Sequence, residues 1–155
     1  DMGARIAAVK RSVQMKADIV ARDEREEGER ALLNLGRTFC HALAAATGYS
    51  DRLLHGEGVA LGCAMAADLS ARLGLTSQED PSRIAAHLRQ MGLHQRLSDI
   101  PGPLPSSEVL LETMGQDKKV VDGELRFVLL HGIGEAFVSS EVPPEAVLDV
   151  LEAAR

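Results

Sequence analysis

Apolar positions recur at spacings of three and four residues over most of the chain, the pattern of amphipathic helices. The first such segment runs from about Gly3 to Arg25, and a second from about Glu29 to Ala46. Gly48 and Gly74 lie just beyond periodic segments, where glycine commonly ends a helix. The pattern predicts further helices at about 56–73, 81–91, 108–114 and 144–153.

One stretch near the end of the chain departs from helical spacing. Residues 125–130 and 135–139 are short apolar runs on either side of the turn-forming sequence His131-Gly132-Ile133-Gly134. Two such runs joined by a glycine-containing turn indicate a β-hairpin. The predicted fold class is therefore mainly α and multi-helical, with one small β-hairpin. No glycine-rich phosphate loop follows a strand, so no nucleotide-binding fold is visible in this sequence.

Composition and charge narrow the function classes. The chain has 155 residues, 45% of them hydrophobic and 26% charged, which suits one domain with a buried core. The formal net charge of −6 argues against a nucleic-acid or anionic-membrane partner. The longest apolar run, near residues 59–67, is too short to span a bilayer. No signal peptide is visible at the start, and we expect a cytoplasmic protein.

The segment from Glu29 to Ala46 carries a line of polar residues. If it forms one continuous helix, Arg30, Asn34, Arg37 and His41 fall within an arc of roughly 60°. The rest of that helix is largely apolar, so polar groups on it need water, a carboxylate or a ligand. Two interpretations remain open: an internal hydrogen-bond network, or a binding cleft.

The histidines and cysteines do not form a metal site by spacing alone. His55 opens the third predicted helix, where an imidazole can cap, pack or bind a metal. Zinc needs three or four ligands, and His41 with His55 supplies two. Arg37 stays protonated and offers no lone pair. We expect the cysteines to be small buried thiols and the remaining histidines to be structural or exposed: Cys40, Cys63, His87, His94 and His131.

A longer pattern resembles a known family. The segment ERALLNLGRTFCHALAAATGYSDRLLHGEGVALG, residues 29–62, resembles the signature of 3-dehydroquinate synthases, R-x-x-x-N-x-G-H-T-x-G-H-A followed by L-H-G-E-x-V-A-x-G. The resemblance continues through QMKADIVARDERE upstream and SDIPG, QDKKV and LRFVLLHGIGEAFV downstream. It implies that residues 1–155 form the family's C-terminal substrate- and metal-binding helical domain. It also implies that the N-terminal NAD-binding domain is absent from this chain.

The resemblance implies a lyase of aromatic amino acid biosynthesis. Family members convert the phosphorylated keto-acid DAHP into 3-dehydroquinate and phosphate in the shikimate pathway. They use NAD and a divalent metal, usually zinc, and bind the substrate between their two domains. The implied partners are DAHP, the missing N-terminal domain and a second copy in a homodimer. The isolated chain is expected to be inactive because the NAD-binding domain is not part of it.

Residues of this chain match the family's substrate-binding and catalytic positions. A substrate with a carboxylate and a phosphate favours fixed cations, and arginine can bind either group bidentately. Glu26 matches an acidic position that orders this group. His41 matches a histidine near the leaving phosphate. The substrate-binding matches are Lys16, Arg30, Asn34 and one of Lys118 and Lys119.

The metal-binding positions depart from the family pattern. His55 matches a metal ligand, but Arg37 stands where the family has its second histidine. Cys40 stands where the family has glycine, and Ala44 where it commonly has glutamate. The third ligand, a glutamate, belongs to the N-terminal domain. Metal binding is therefore predicted to be weakened or lost.

Two alternative functions remain open. The chain could be a diverged, non-catalytic homologue that serves as a binding module, which Arg37 favours. It could also belong to a related sugar-phosphate cyclase, since such enzymes share parts of the signature. The continuous match over GYSDRLLHGEGVALG favours 3-dehydroquinate synthase over the related cyclases.

Overall fold

A computed structural model describes residues 1–118 and 125–155, apart from the side chains of residues 117 and 118. The described chain forms two compact units, Asp1–Asn34 and Leu35–Arg155. The mainly helical fold with one hairpin, predicted from the sequence, is confirmed.

The first unit consists of a long helix and a short 3-10 helix. Helix α1 spans Met2–Arg22 and begins at Asp1, whose carboxylate accepts a hydrogen bond from the amide of Gly3 at 2.9 Å. The 3-10 helix spans Glu29–Asn34. The predicted helix at 3–25 is thus confirmed, but it ends three residues earlier, because Asp23 leaves helical geometry with φ of −143°.

The second unit holds the remaining helices and the hairpin. Its predicted helices beyond residue 50 and its two strands are confirmed, with ends that differ by a few residues. The elements are α2 (Arg37–Ala46), α3 (His55–Arg72), α4 (Glu79–Gln90), a 3-10 turn (Leu97–Asp99), α5 (Ser107–Lys118), β1 (Phe127–Gly132), β2 (Glu135–Ser139) and α6 (Pro144–Ala153).

Helix α3 lies at the centre of this unit and packs against α2, α4, α6 and β1. The core is largely aliphatic, and the rings of Phe39 and Phe127 meet within it, with centroids 5.6 Å apart. Ser70 on α3 anchors the antiparallel hairpin, because its buried hydroxyl accepts the amide of Leu130 at 2.9 Å and donates to Ala66. Within the described residues, no helix has the length and apolar character required to cross a membrane.

The single helix predicted at 29–46 is wrong. The segment divides into the 3-10 helix Glu29–Asn34 and α2, which begins at Arg37. Gly36 separates them with φ of +75°, a left-handed conformation that favours glycine. The predicted 60° arc of four polar residues therefore does not exist. Arg30 and Asn34 lie on the 3-10 helix, and Arg37 and His41 lie on α2.

Gly36 also packs closely against α3. A Cβ added to Gly36 would lie 2.4 Å from the amide nitrogen of Cys63, and one added to Gly62 would lie 2.1 Å from the carbonyl oxygen of Gly36. Neither distance is compatible with a side chain. The two glycines thus let the start of α2 contact the middle of α3 through backbone atoms.

Candidate functional site

In the first unit, Asp23 organises the loop between α1 and the 3-10 helix. Its carboxylate accepts hydrogen bonds from the backbone amides of Glu27 at 3.0 Å, Gly28 at 2.9 Å and Arg30 at 2.9 Å. These bonds, the one from Arg30 foremost, hold the pKa of Asp23 below its ordinary value. The sequence pattern did not predict this loop, because the bonds that close it come from backbone amides.

This loop brings together three residues predicted from the family resemblance. Glu26 has a positive φ of 61°, and its Oε1 accepts a hydrogen bond from Asn34 Nδ2 at 2.7 Å. Its Oε2 lies 4.0 Å from Arg30 Nε, at the limit of an ion pair. The Arg30 guanidinium also donates to the carbonyl of Glu24 at 2.5 Å. A carboxylate thus stands between an amide and a guanidinium, an arrangement that orients both donors.

Lys16 lies elsewhere in the same unit. It is exposed on α1, and within the described residues it makes no hydrogen bond or ion pair with the Glu26, Arg30 and Asn34 group. The two lysines near residue 118 cannot be placed relative to any site. Lys118 is the last residue of α5, but its side chain and the whole of Lys119 lie outside the described residues.

In the second unit, Arg37 and His41 form a hydrogen-bonded pair on α2. Arg37 is exposed in the first turn, and its Nε donates to His41 Nε2 at 3.0 Å. A guanidinium can only donate, so Nε2 must carry the lone pair and Nδ1 the proton. In this arrangement, the His41 Nε2 accepts a hydrogen bond from the Arg37 guanidinium.

His55 contacts a thiol. It is the first residue of α3 and is exposed, and its Nδ1 lies 3.9 Å from the Sγ of buried Cys40. The same thiol lies 3.8 Å from the His55 carbonyl, to which it can donate. Burial raises the pKa of Cys40, and the charge of Arg37 acts in the opposite direction. The sequence pattern predicted the burial of Cys40 but not its contact with His55.

The side chains that the structure describes do not by themselves complete a metal site. Among the described residues, no group of three or more His, Cys, Asp or Glu side chains is arranged to hold a metal ion. At position 37 there is a guanidinium that donates to an imidazole, where a lone pair would be needed. Position 37 thus carries a hydrogen-bond donor where the family resemblance implies a metal ligand.

The other histidines have the structural or exposed positions expected of them. His94 lies 3.8 Å from a carboxylate oxygen of Glu57. His131 is exposed and stacks on Phe137, with ring centroids 4.1 Å apart. His87 is exposed on α4.

Comparison with known proteins places the chain in a family. The family profile described as 3-dehydroquinate synthase C-terminal matches residues 1–120. The chain belongs to the 3-dehydroquinate synthase family. It is 74% identical over 152 residues to the 3-dehydroquinate synthase of Ruegeria pomeroyi and 70% identical over 151 residues to that of Jannaschia sp.. These matches cover 98% and 97% of the chain, and 41% of each relative. The chain of this family member therefore spans about two fifths of the length of the curated relatives it matches.

Solved structures of cyclases share the fold of this 3-dehydroquinate synthase family member. ValA, a 2-epi-5-epi-valiolone synthase from Streptomyces hygroscopicus with NAD⁺ and Zn²⁺ bound, matches with a TM-score of 0.81 and 23% identity, over 98% of this chain and 40% of that one. A 2-deoxy-scyllo-inosose synthase complexed with carbaglucose-6-phosphate, NAD⁺ and Co²⁺ matches with a TM-score of 0.75 and 23% identity, over 92% and 40%. At this identity, the likeness shows a shared fold.

Proposed function

We propose that this chain is the substrate- and metal-binding half of a 3-dehydroquinate synthase, which converts DAHP into 3-dehydroquinate and phosphate. The observation that carries the proposal is the family match over residues 1–120 together with 74% identity to a curated synthase. The N-terminal part of that relative would supply the NAD-binding domain. Bound NAD supplies reversible oxidation of a substrate hydroxyl, and the isolated chain does not turn over.

The substrate is a sugar acid with two anionic groups, a carboxylate and a phosphate, and the first unit offers side chains suited to binding it. Arg30 can bind a carboxylate or phosphate bidentately, and the Asn34 amide can bond a hydroxyl. Glu26 is the positioning residue, supported by its 2.7 Å hydrogen bond to Asn34 and its approach to Arg30. Lys16, exposed on α1, adds a further cation in this proposal. One of Lys118 and Lys119 faces the phosphate in this proposal, which rests for both on the sequence pattern alone.

His41 handles a proton at the leaving phosphate in this proposal. Its pairing with Arg37 supports a modified function, because Nε2 already accepts from the guanidinium and only Nδ1 carries a proton. Arg37 also adds positive charge where a phosphate leaves, and a guanidinium can stabilise negative charge there.

Arg37 impairs the family's metal site in our proposal. Replacing a neutral ligand by a cation removes a lone pair and adds repulsion toward a divalent ion. We expect zinc to bind much more weakly than in an Arg37→His variant, with or without the N-terminal domain. The same observation favours a second candidate function, a non-catalytic homologue that keeps substrate binding without turnover. The related-cyclase alternative has less support, because the cyclase structures are 23% identical and the curated synthase 74%.

A two-domain protein tests the proposal. The N-terminal three fifths of the Ruegeria pomeroyi relative would be joined ahead of this chain, and phosphate release from DAHP measured with NAD and zinc. We expect slow release with Arg37 and faster release in the Arg37→His variant. The intact relative serves as the positive control.

Each outcome separates the alternatives. Equal release with Arg37 and with histidine at position 37 would show that the substitution does not impair the enzyme. Binding of DAHP by calorimetry without release from either protein would support the non-catalytic module. If neither protein bound DAHP while the intact relative turned it over, the proposed function would be wrong.

A further inference from the structure

Asp23 joins the end of α1 to the segment that carries most of the candidate substrate-binding residues. It is half-buried directly after the helix. Its Oδ1 accepts a hydrogen bond from the amide of Glu27 at 3.0 Å, and its Oδ2 accepts the amides of Gly28 and Arg30, each at 2.9 Å. Both carboxylate oxygens thus hold the backbone of residues 23–30, which we call the Asp23 loop.

The Asp23 loop holds Glu26 in an unusual backbone conformation. Glu26 has a φ of 61°, in the left-handed region that residues other than glycine seldom adopt unless their surroundings fix it. One of the bonds to Asp23 comes from the amide of Glu27, which belongs to the peptide directly after Glu26. The Asp23 carboxylate therefore bonds the backbone at the point where the loop is under strain.

That conformation directs the Glu26 carboxylate toward two donors. Its Oε1 accepts a hydrogen bond from Asn34 Nδ2 at 2.7 Å, and its Oε2 lies 4.0 Å from Arg30 Nε. Arg30 is also held through its own backbone amide, which donates to Asp23. The Asp23 carboxylate thus determines, through two routes, where the guanidinium and the side-chain amide of the candidate site lie.

We propose that Asp23 is a positioning residue for substrate binding, because it fixes the loop that presents Arg30 and Asn34 to an anionic sugar acid. Asp23 does not contact the substrate itself, since three backbone amides already occupy its two oxygens. It acts through Glu26 and through the backbone of Arg30. A site that is ordered before the substrate arrives binds more tightly, because less conformational freedom is lost on binding. The inference rests on the proposed function, from which the substrate is taken.

The arrangement requires a carboxylate rather than an amide at position 23. Asparagine offers one acceptor oxygen, and its NH₂ group would face backbone amides that can only donate. Asp23→Asn should therefore keep at most part of the hydrogen bonds that hold the loop, and Asp23→Ala should keep none of them. We expect a graded loss of substrate affinity, with Asp23→Asn between the unsubstituted protein and Asp23→Ala.

Calorimetric titration of DAHP into the two-domain protein, with NAD and without added metal, measures this loss. We expect binding to weaken by at least about tenfold in Asp23→Ala, and by a smaller factor in Asp23→Asn. Glu29→Gln is the matched control, because its carboxylate bonds the Arg22 side chain rather than a backbone amide of the loop. The Arg22 and Glu29 side chains are 57% and 44% exposed, and exposed ion pairs contribute little, so affinity should stay within about twofold.

A double-mutant cycle separates positioning from a general loss of stability. If Asp23 acts through Glu26, Asp23→Ala should weaken DAHP binding by a much smaller factor when Glu26→Ala is already present. A purely structural contribution would give the same factor in both backgrounds. Unchanged affinity in Asp23→Ala, or equal factors in the two backgrounds, would overturn the inference. If circular dichroism showed Asp23→Ala to be unfolded, the nearly isosteric Asp23→Asn would take its place in the cycle.

Failure of this inference and failure of the proposed function give different results. If the unsubstituted two-domain protein does not bind DAHP while the intact relative turns it over, the proposed function is wrong, and the inference with it. If the unsubstituted protein binds DAHP and Asp23→Ala binds it equally well, only the inference is wrong.

Discussion

The candidate site residues of this chain contact one another chiefly through hydrogen bonds between their side chains. Glu26 holds Asn34 and approaches Arg30, whereas Arg37 donates to His41. The identities of these residues and their match to a family signature could be read from the sequence. Their hydrogen-bond partners could not be read from the sequence. Glu26 and Asn34 meet in a loop that is held by Asp23 and in which Glu26 has a positive φ. Spacing predicts neighbours within a helix, and this loop is not helical.

Asp23→Ala tests how the loop carrying Glu26 is held. Without the carboxylate, the amides of Glu27, Gly28 and Arg30 lose their acceptor, so we expect their hydrogen exchange to accelerate. Hydrogen exchange resolved by NMR measures this. Asp18→Ala, which removes a carboxylate bonded to the Gln14 side chain on α1, should leave these three amides unchanged.

The same amides should respond to acid. The pKa of Asp23 is lowered in the folded chain, so the stabilisation is fully present above the unfolded value, about 3.9, and is lost as the pH falls through the folded value. Protection that persisted unchanged in acid, or in Asp23→Ala, would contradict this account of the loop.

The positions of the helices and strands were predicted well from the sequence, with one exception. Helices α3 to α6 and both strands follow the apolar periodicity. The break between the 3-10 helix and α2 was missed because Leu35, Phe39 and Leu43 keep helical spacing across it. Gly36 could have indicated the break, but the need for glycine there also comes from its close approach to α3, which is distant in sequence.

Gly62→Ala tests that backbone contact. The added methyl would lie 2.1 Å from the carbonyl oxygen of Gly36, so α2 must move away from α3. We expect the free energy of unfolding to fall by about 3 kcal/mol, as in overpacked cores, measured by urea denaturation.

A glycine in open space provides the control. Gly115 lies within α5, and a Cβ there meets nothing within 4 Å, so Gly115→Ala should be neutral or stabilising by up to about 1 kcal/mol. Equal destabilisation by the two substitutions would show that the close approach of α2 and α3 is not what Gly62 provides.

At the scale of the whole molecule, the second unit is closed by contacts between distant parts of the chain. The amide of Leu97 donates to the carbonyl of Ala154 at 2.6 Å, and the Arg155 guanidinium donates to Ser107 Oγ at 3.1 Å. Hydrophobic periodicity predicts each helix or strand but not the elements that pack against it. These two long-range hydrogen bonds could therefore not be predicted from the sequence. The family resemblance did predict the fold class, because a family signature encodes the whole arrangement.

The Cys63 thiol should make the free energy of unfolding fall with pH in the alkaline range. Partial burial raises its pKa from 9.0 to about 11. The unfolded chain releases this proton first, so the free energy of unfolding is unaffected by this thiol below about pH 9 and falls as the pH rises toward 11. Over that range, we expect the Cys63→Ala variant to lose up to about 2 kcal/mol less than the unsubstituted chain.

Urea denaturation of both proteins at several pH values between 8 and 11 measures the difference. Parallel pH profiles would show that the Cys63 thiol ionises as readily in the folded chain as in the unfolded one. Slow alkylation of Cys63 by iodoacetamide near neutral pH should accompany the raised pKa, because the thiolate is the reactive form.

Because Arg37 donates a hydrogen bond to His41, a substitution at either position also changes the surroundings of the other. The Arg37→His substitution would place an imidazole where the family resemblance implies a metal ligand, and it would remove a cationic donor from the His41 imidazole one turn along. Its effect on rate will therefore combine two causes, and substitutions at 37 and 41 should be epistatic rather than additive. A double-mutant cycle over both positions would separate the effect of the new imidazole at position 37 from the effect of the hydrogen bond that His41 loses.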